Sequence, residues 1–132
     1  MQAARRRLAA AEVTVEEDSS TALSAAYYAM LYGARAALSE RGASAKTHRG
    51  TWHEFRDAFV ESGEIDATLA AEAQKIQPER EQADYDAWFA PVEEARRAIE
   101  LAHSFLAAIE ALLDRLPTEP DPDEQKGEDR RD

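Results

Sequence analysis

The chain has 132 residues, 27 of them acidic and 16 basic for a net charge of −11, and no cysteine. That length builds one core, the missing cysteines exclude a disulfide framework and a thiolate metal site, and every apolar run is cut by charge well short of the roughly 20 residues that a bilayer span needs. The acidic balance also excludes a broad nucleic-acid surface, because phosphate affinity comes mainly from lysine and arginine displacing counterions, so a nucleic-acid contact has to be a local basic site. Alanine, leucine, glutamate and arginine dominate while valine and isoleucine are few, a composition that favours helices over sheet.

In chain order, residues 2 to 13 read as a short helix with Leu8, Ala9 and Val13 as its apolar edge. A second helix starts at Asp18 or Ser19, both good N-caps, and runs to about Arg41 with Leu23, Tyr27, Met30, Ala34 and Leu38 on one stripe, Gly42 stopping it. A loop then covers Gly42 to Gly50, after which Thr51-Trp52-His53-Glu54 has the form of a capping box. That third helix runs to about Ser62, with Trp52, Phe55 and Phe59 inward and Gly63 as its stop. Asp66 caps a fourth helix through about Gln77, and Pro78 ends it or begins a further turn carrying Arg80 to Tyr85. Trp88-Phe89-Ala90-Pro91 reads as a connection, with Pro91 in the first turn of the last helix and Glu93 and Glu94 where a helix dipole favours negative charge. The last helix, about 25 residues long, carries the clearest pattern, Val92, Ala95, Ile99, Ala102, Leu106, Ile109, Leu113 and Leu116 recurring every three or four positions.

These elements predict an all-α fold, a compact antiparallel bundle of four to five helices over residues 1 to 116. Residues 117 to 132 hold three prolines and no apolar residue beyond them, and read as a disordered acidic tail. The tail carries seven acidic and three basic residues, so the body keeps a charge of −7. With no signal-like apolar run after Arg5-Arg6-Arg7, a cytoplasmic protein is expected.

Several segments then fall in a recognisable order: Ala26-Tyr27-Tyr28-Ala29, Lys46-Thr47-His48-Arg49-Gly50, Phe55 to Gly63, Arg80-Glu81-Gln82-Ala83-Asp84-Tyr85, and a long helix with Ala102 and Phe105. Together they resemble a HEPN domain, the higher eukaryote and prokaryote nucleotide-binding domain, of the small single-domain prokaryotic type. The resemblance implies a helical bundle, often dimeric, paired with a nucleotidyltransferase-fold partner as a toxin–antitoxin or stress-response set. It also implies a metal-independent endoribonuclease whose signature is an arginine, four to six residues, then a histidine. Such chemistry needs no metal because RNA supplies its own nucleophile, the 2′-hydroxyl, while histidine moves a proton and arginine balances phosphate charge. No cofactor is expected, and three dispersed histidines without cysteine form no recognisable metal ligand set.

Three pairs match the signature: Arg41 with His48 (six intervening residues), Arg97 with His103 (five) and Arg96 with His103 (six). Arg97 and His103 share one helix about 120° apart, whereas Arg41 and His48 bracket a loop and can converge. His48 has two readings, a loop histidine bonded to backbone ahead of the cap, or an RNA or nucleotide phosphate contact shared with Lys46 and Arg49. His103 is either a polar residue on the bundle's flank or catalytic, and His53 is an exposed first-turn residue. Arg80 and Asp84, four apart, can pair on one face with Tyr85 beside them, and of Tyr27 and Tyr28 one belongs in the core and the other on the flank, where Tyr28 can stack a base. Two departures from the resemblance stand out: Ser24-Ala25 occupies the place of an Asn-Arg pair, and no tyrosine follows either candidate histidine by two residues. The expectation is a homodimeric RNA-cleaving domain acting with its nucleotidyltransferase-fold partner, the alternative a non-catalytic nucleotide-binding or protein-interaction module.

Overall fold

The computed structural model describes residues 1–85 and 90–115, the side chains of 79 and 82–85 excepted. Five helices form it: α1 (Gln2–Thr14), α2 (Ser19–Glu40), α3 (His48–Phe55), α4 (Ala67–Tyr85) and α5 (Val92–Arg115), with a π-helical turn, Arg56–Val60, continuing α3. There is no strand among the described residues, so the all-α bundle expected from composition is what the chain forms.

The centre of the bundle is α2, which packs against α1 and α5 along its length and against α3 and α4 on its remaining side. Being surrounded suits its sequence, since Ala22, Ala26, Ala29, Ala34 and Ala37 are buried alongside Leu23, Tyr27, Met30, Leu31 and Leu38. Small residues let neighbouring axes come close. At Gly33 an added Cβ would fall 2.6 Å from Leu106 Cδ2, so α2 and α5 cross where only glycine fits without displacing a packed leucine. Asp18 caps α2 by accepting from the Thr21 amide (3.1 Å) and hydroxyl (2.7 Å). Its far end closes through Gly42, whose φ of 75° is the left-handed conformation glycine adopts without strain. The Ser19 hydroxyl donates to the Ala90 carbonyl and the Ala90 amide donates to Ser20 Oγ (2.9 Å), fastening the start of α2 to the segment that leads into α5. Against this frame Trp52, Phe55, Phe59 and Phe105 form the aromatic core, with Trp52–Phe105 and Phe55–Phe105 centroids 5.8 and 5.5 Å apart.

Three local expectations change. The buried face of α1 is Ala4, Leu8 and Ala11, with Val15 just beyond its end, while Ala9 and Val13 face out. The start of α3 comes four residues earlier than the capping box suggests. Thr47 is the N-cap and accepts from the Gly50 amide at 2.8 Å, which makes His48 the first helical residue. Thr51 is fully buried, its hydroxyl donating to the Thr47 carbonyl (2.8 Å) and accepting from Arg35 Nε (3.1 Å), so it is unavailable for a cap of its own. Pro78 neither ends α4 nor opens a separate turn: the helix runs through it to Tyr85, and Gln77 Nε2 donates to Glu81 Oε2 (3.3 Å) across the position where the proline supplies no amide hydrogen. The last helix, by contrast, begins where its periodicity predicts and is helical to Arg115, the last described residue, with Phe105 and Leu112 buried in place of the half-buried Leu113. Trp88, Phe89, Leu116 and the acidic tail from 117 onward lie outside the described residues.

Candidate functional site

Tyr27 projects from the middle of α2 into the angle between α3 and α4, and its ring is fully buried. Its hydroxyl is a junction of three contacts: it accepts from Trp52 Nε1 at 3.0 Å, donates to Gln77 Oε1 at 3.2 Å and meets His48 Nδ1 at 3.3 Å. Burial raises the Tyr27 pKa above its ordinary value, which keeps the phenol protonated. The helix start at Thr47 is what brings His48 here, because the first residue of α3 faces back onto α2.

Around the phenol lies a layer of rings and cations. His48 sits 5.6 Å from the Tyr27 ring and edge-on to Tyr28 at 5.7 Å, and Tyr28 in turn touches Tyr32 at 5.9 Å. The Arg80 guanidinium lies over both tyrosines, 5.2 Å from the Tyr28 centroid and 5.7 Å from Tyr27, with its side chain only 14 % exposed. Arg7 approaches from α1, 5.5 Å from Tyr32 and 6.0 Å from Tyr28. Arg35 spans from α2 to Thr51 and to the Lys46 carbonyl (3.4 Å), both neutral oxygens, and so holds the start of α3 against α2.

The cations leave their mark on His48. Partial burial, then the positive charges of Arg35 and Arg80, hold its pKa below the usual 6.5, so the imidazole is neutral at pH 7. A neutral imidazole near two arginines, beside the half-buried Tyr28, can accept a proton or a hydrogen bond while the arginines attract a phosphate. In a chain of net charge −11 the cluster brings three arginines together, with Glu81, 3.9 Å from Arg80, as their acidic neighbour.

The sequence-derived candidates divide accordingly. His48, Arg80 and Tyr28 meet in this cluster, and Lys46 and Arg49 flank it on the exposed start of α3. Arg41 does not converge on His48. It forms a two-pronged pair with Glu64 (2.8 and 2.9 Å) and lies 4.7 Å over Phe59, because the π-helical turn and Gly63 carry Glu64 to the end of α2. His103 pairs with Glu12 of α1 (2.9 Å), and Arg97 lies in a groove of about 450 Å³ between α4 and α5 with Glu72, Lys75 and Glu94. Arg96 bonds Glu16 and Glu93, and His53 pairs with Asp57 on the exposed side of α3. The backbone of Asp84 and Tyr85 continues α4, but their side chains lie outside the described residues. Sequence reasoning missed Arg7, Tyr32, Arg35, Gln77 and the site role of Tyr27. Tyr28, Tyr32 and Arg35 carried a signal, since positions i, i+4 and i+7 share one helical face. Gln77 and Arg7 carried none, as their relation to Tyr27 and Tyr28 exists only once α1 and α4 are docked. No group of histidine and carboxylate side chains suited to a metal ion occurs among the described residues.

The sequence comparison defines the class of this helical bundle: the HEPN domain family model matches residues 1–112. The chain belongs to the HEPN domain family, a nucleotide-binding or ribonuclease-like family. No curated protein and no solved structure matches it.

Proposed function

We propose that the cluster of His48, Tyr28, Tyr32, Arg7, Arg35 and Arg80 binds RNA or a ribonucleotide, the arginines attracting phosphate and the tyrosine edges receiving a base. One observation carries this reading: His48 packs edge-on to Tyr28 while the Arg80 guanidinium lies over the same ring, with Arg7 and Arg35 close by. Aromatic rings with interleaved cations suit single-stranded nucleic acid, since every base offers a face to stack and every nucleotide a phosphate. Lys46 and Arg49, exposed beside His48, extend the same positive region.

The neutral state of His48 favours a further step within that reading, metal-independent RNA cleavage. His48 takes the proton of a 2′-hydroxyl as the 2′-oxygen attacks the adjacent phosphorus, and the bond to the 5′-oxygen breaks to leave a 2′,3′-cyclic phosphate. The 5′-oxygen takes a proton from water, and the hydroxide left behind takes back the proton on His48. Arg80 or Arg35 supplies the positive charge that the signature arginine was expected to supply from Arg41, which is engaged with Glu64. That engagement is also what supports the alternative of a non-catalytic nucleotide-binding module. Family membership supports the wider setting we propose, a cytoplasmic homodimer working with a nucleotidyltransferase-fold partner in a toxin–antitoxin or stress-response pair.

The test combines binding and cleavage. Purified protein is titrated with a fluorescent single-stranded RNA and incubated with mixed RNA in EDTA, wild type beside His48→Ala and Arg80→Ala. Saturable binding weakened by Arg80→Ala, with cleavage abolished by His48→Ala, is the ribonuclease outcome. Binding without cleavage selects the binding module, and no binding by folded protein refutes the site.

A further inference from the structure

The contacts of Tyr27 determine more than where His48 sits. Gln77 Nε2 lies 3.3 Å from Glu81 Oε2, and a carboxylate only accepts, so the amide nitrogen of Gln77 faces Glu81 and its oxygen faces Tyr27. The Tyr27 hydroxyl therefore spends its single hydrogen on Gln77 Oε1 (3.2 Å). Trp52 Nε1 is a donor only and takes one of the phenol's lone pairs at 3.0 Å. What the phenol can still offer His48 Nδ1, 3.3 Å away, is a lone pair, and a lone pair is matched only by an Nδ1 that carries hydrogen. A neutral imidazole has one N–H, so the hydrogen on Nδ1 leaves Nε2 bare.

We propose that Gln77 and Tyr27 are positioning residues that hold neutral His48 in its Nδ1–H tautomer, so that Nε2 is presented as an acceptor. The inference rests on the reading of this cluster as the ligand site, and it sharpens it. An Nε2 lone pair repels a phosphate oxygen and accepts from a hydroxyl, which assigns His48 to the ribose and leaves the phosphate to the arginines. The opposite tautomer would offer an N–H to phosphate and no base to a 2′-hydroxyl. The relay is local, since Glu81, Gln77, Tyr27 and His48 join α4, α2 and the first residue of α3 through side chains alone.

The tautomer is readable without any ligand. Imidazole nitrogen shifts from a long-range proton–nitrogen correlation on isotope-labelled full-length protein, recorded above the His48 pKa, distinguish a protonated from a bare ring nitrogen. For wild type the expected pattern is protonated Nδ1 and bare Nε2. Gln77→Leu removes the phenol's acceptor, so Tyr27 turns its hydrogen onto His48 Nδ1 and the pattern inverts. Gln77→Glu combined with Glu81→Gln restores an acceptor oxygen for the phenol while the new amide at 81 donates to the new carboxylate, and the wild-type pattern returns. Circular dichroism and unchanged aromatic shifts away from the cluster verify the fold of both variants. A wild-type His48 with protonated Nε2, or the same tautomer in wild type and Gln77→Leu, overturns the proposal. Failure of the RNA titration with the predicted tautomer present would instead count against the ligand site, so the two failures are told apart.

Discussion

Along the seam between α1 and α5, Arg5 meets Glu110, Arg96 meets Glu16 and His103 meets Glu12, each a basic side chain beside a carboxylate on a partly exposed surface. Around Tyr27 the same residue types have other company: Arg7 lies over tyrosine rings, Arg35 bonds a hydroxyl and a carbonyl oxygen, and His48 meets a phenol. The seam holds a pair with the family's spacing, Arg96 and His103, whereas the arginine that this spacing assigns to His48, Arg41, lies outside the Tyr27 cluster, so spacing does not single out the site. Surroundings do. A carboxylate beside a cation answers its charge, and an incoming phosphate has to displace it. A ring face or a neutral oxygen leaves the positive field in place for a ligand. The seam holds helices together through such pairs, whereas in the Tyr27 cluster Arg7 and Arg35 face rings and neutral oxygens and, among the described residues, Arg80 alone of the three has a carboxylate, Glu81, 3.9 Å away.

The largest effect that separates the two regions concerns stability. The Tyr27 cluster rests on Trp52, which is 2 % exposed and packs against Phe55 and Phe105, so Trp52→Ala is expected to cost about 3–5 kcal/mol in chemical denaturation. A loss below about 1 kcal/mol would mean that the aromatic core does not support the site. Next comes the phenol itself. Tyr27→Phe leaves Trp52 Nε1 buried without its acceptor, an expected loss of about 1–3 kcal/mol by the same measurement. Charge effects on the ligand follow. A charged hydrogen bond contributes about 1.5–3 kcal/mol, so Arg80→Ala should weaken RNA binding roughly ten- to hundredfold, while Arg97→Ala, in its groove beside Glu94, should stay within about twofold of wild type. Equal weakening by both would erase the distinction between the cluster and the rest of the surface.

A smaller effect appears in pH dependence. The folded protein holds His48 below 6.5, so the unfolded chain binds more protons in that interval. Unfolding free energy should therefore rise with pH from the folded pKa up to the ordinary histidine value and flatten above it. Glu64 and Glu110 titrate lower: hydrogen bonds from Ser62 and Arg41 to the first, and from Arg5 to the second, depress their pKa values, so their contribution is present above 4.5 and lost as pH falls below it. His48→Asn should remove the slope in the histidine window and leave the acid one. Denaturation midpoints across pH 3 to 8 check both.

How much of this was legible in the sequence follows from what each feature depends on. The stripes of α2 and α5 were readable because burial on one side of a helix writes itself at every third or fourth residue, and all five stripe residues named in α2 are buried. The start of α3 was misread for a physical reason. Thr51 and Glu54 have the spacing of a capping box, but the Thr51 hydroxyl is taken by Arg35 from another helix, a tertiary contact that local pattern does not contain. Arg41 and His48 flank the same loop in sequence, yet Glu64 draws Arg41 to the other side of the bundle. His48 itself was legible as a histidine among cations. Its lowered pKa and its phenol neighbour were not, since they come from burial, then from Arg35 and Arg80, and from Tyr27 of α2, all brought to His48 only by the docking of helices.

The smallest expected effect tests the seam from its own side. His103 and Glu12 are each about half exposed, so water screens their attraction and holding both side chains in one geometry costs rotamer entropy. A double-mutant cycle of His103→Ala and Glu12→Ala should give a coupling below about 1 kcal/mol, shrinking further as salt is raised. RNA binding and any cleavage should be unchanged in both single variants. If His103→Ala abolished cleavage while stability stayed put, the carboxylate beside His103 would be serving its chemistry and not the docking of α1, and the site would belong on α5. The same spacing of arginine and histidine would then have been the better guide, and the company each side chain keeps the weaker one.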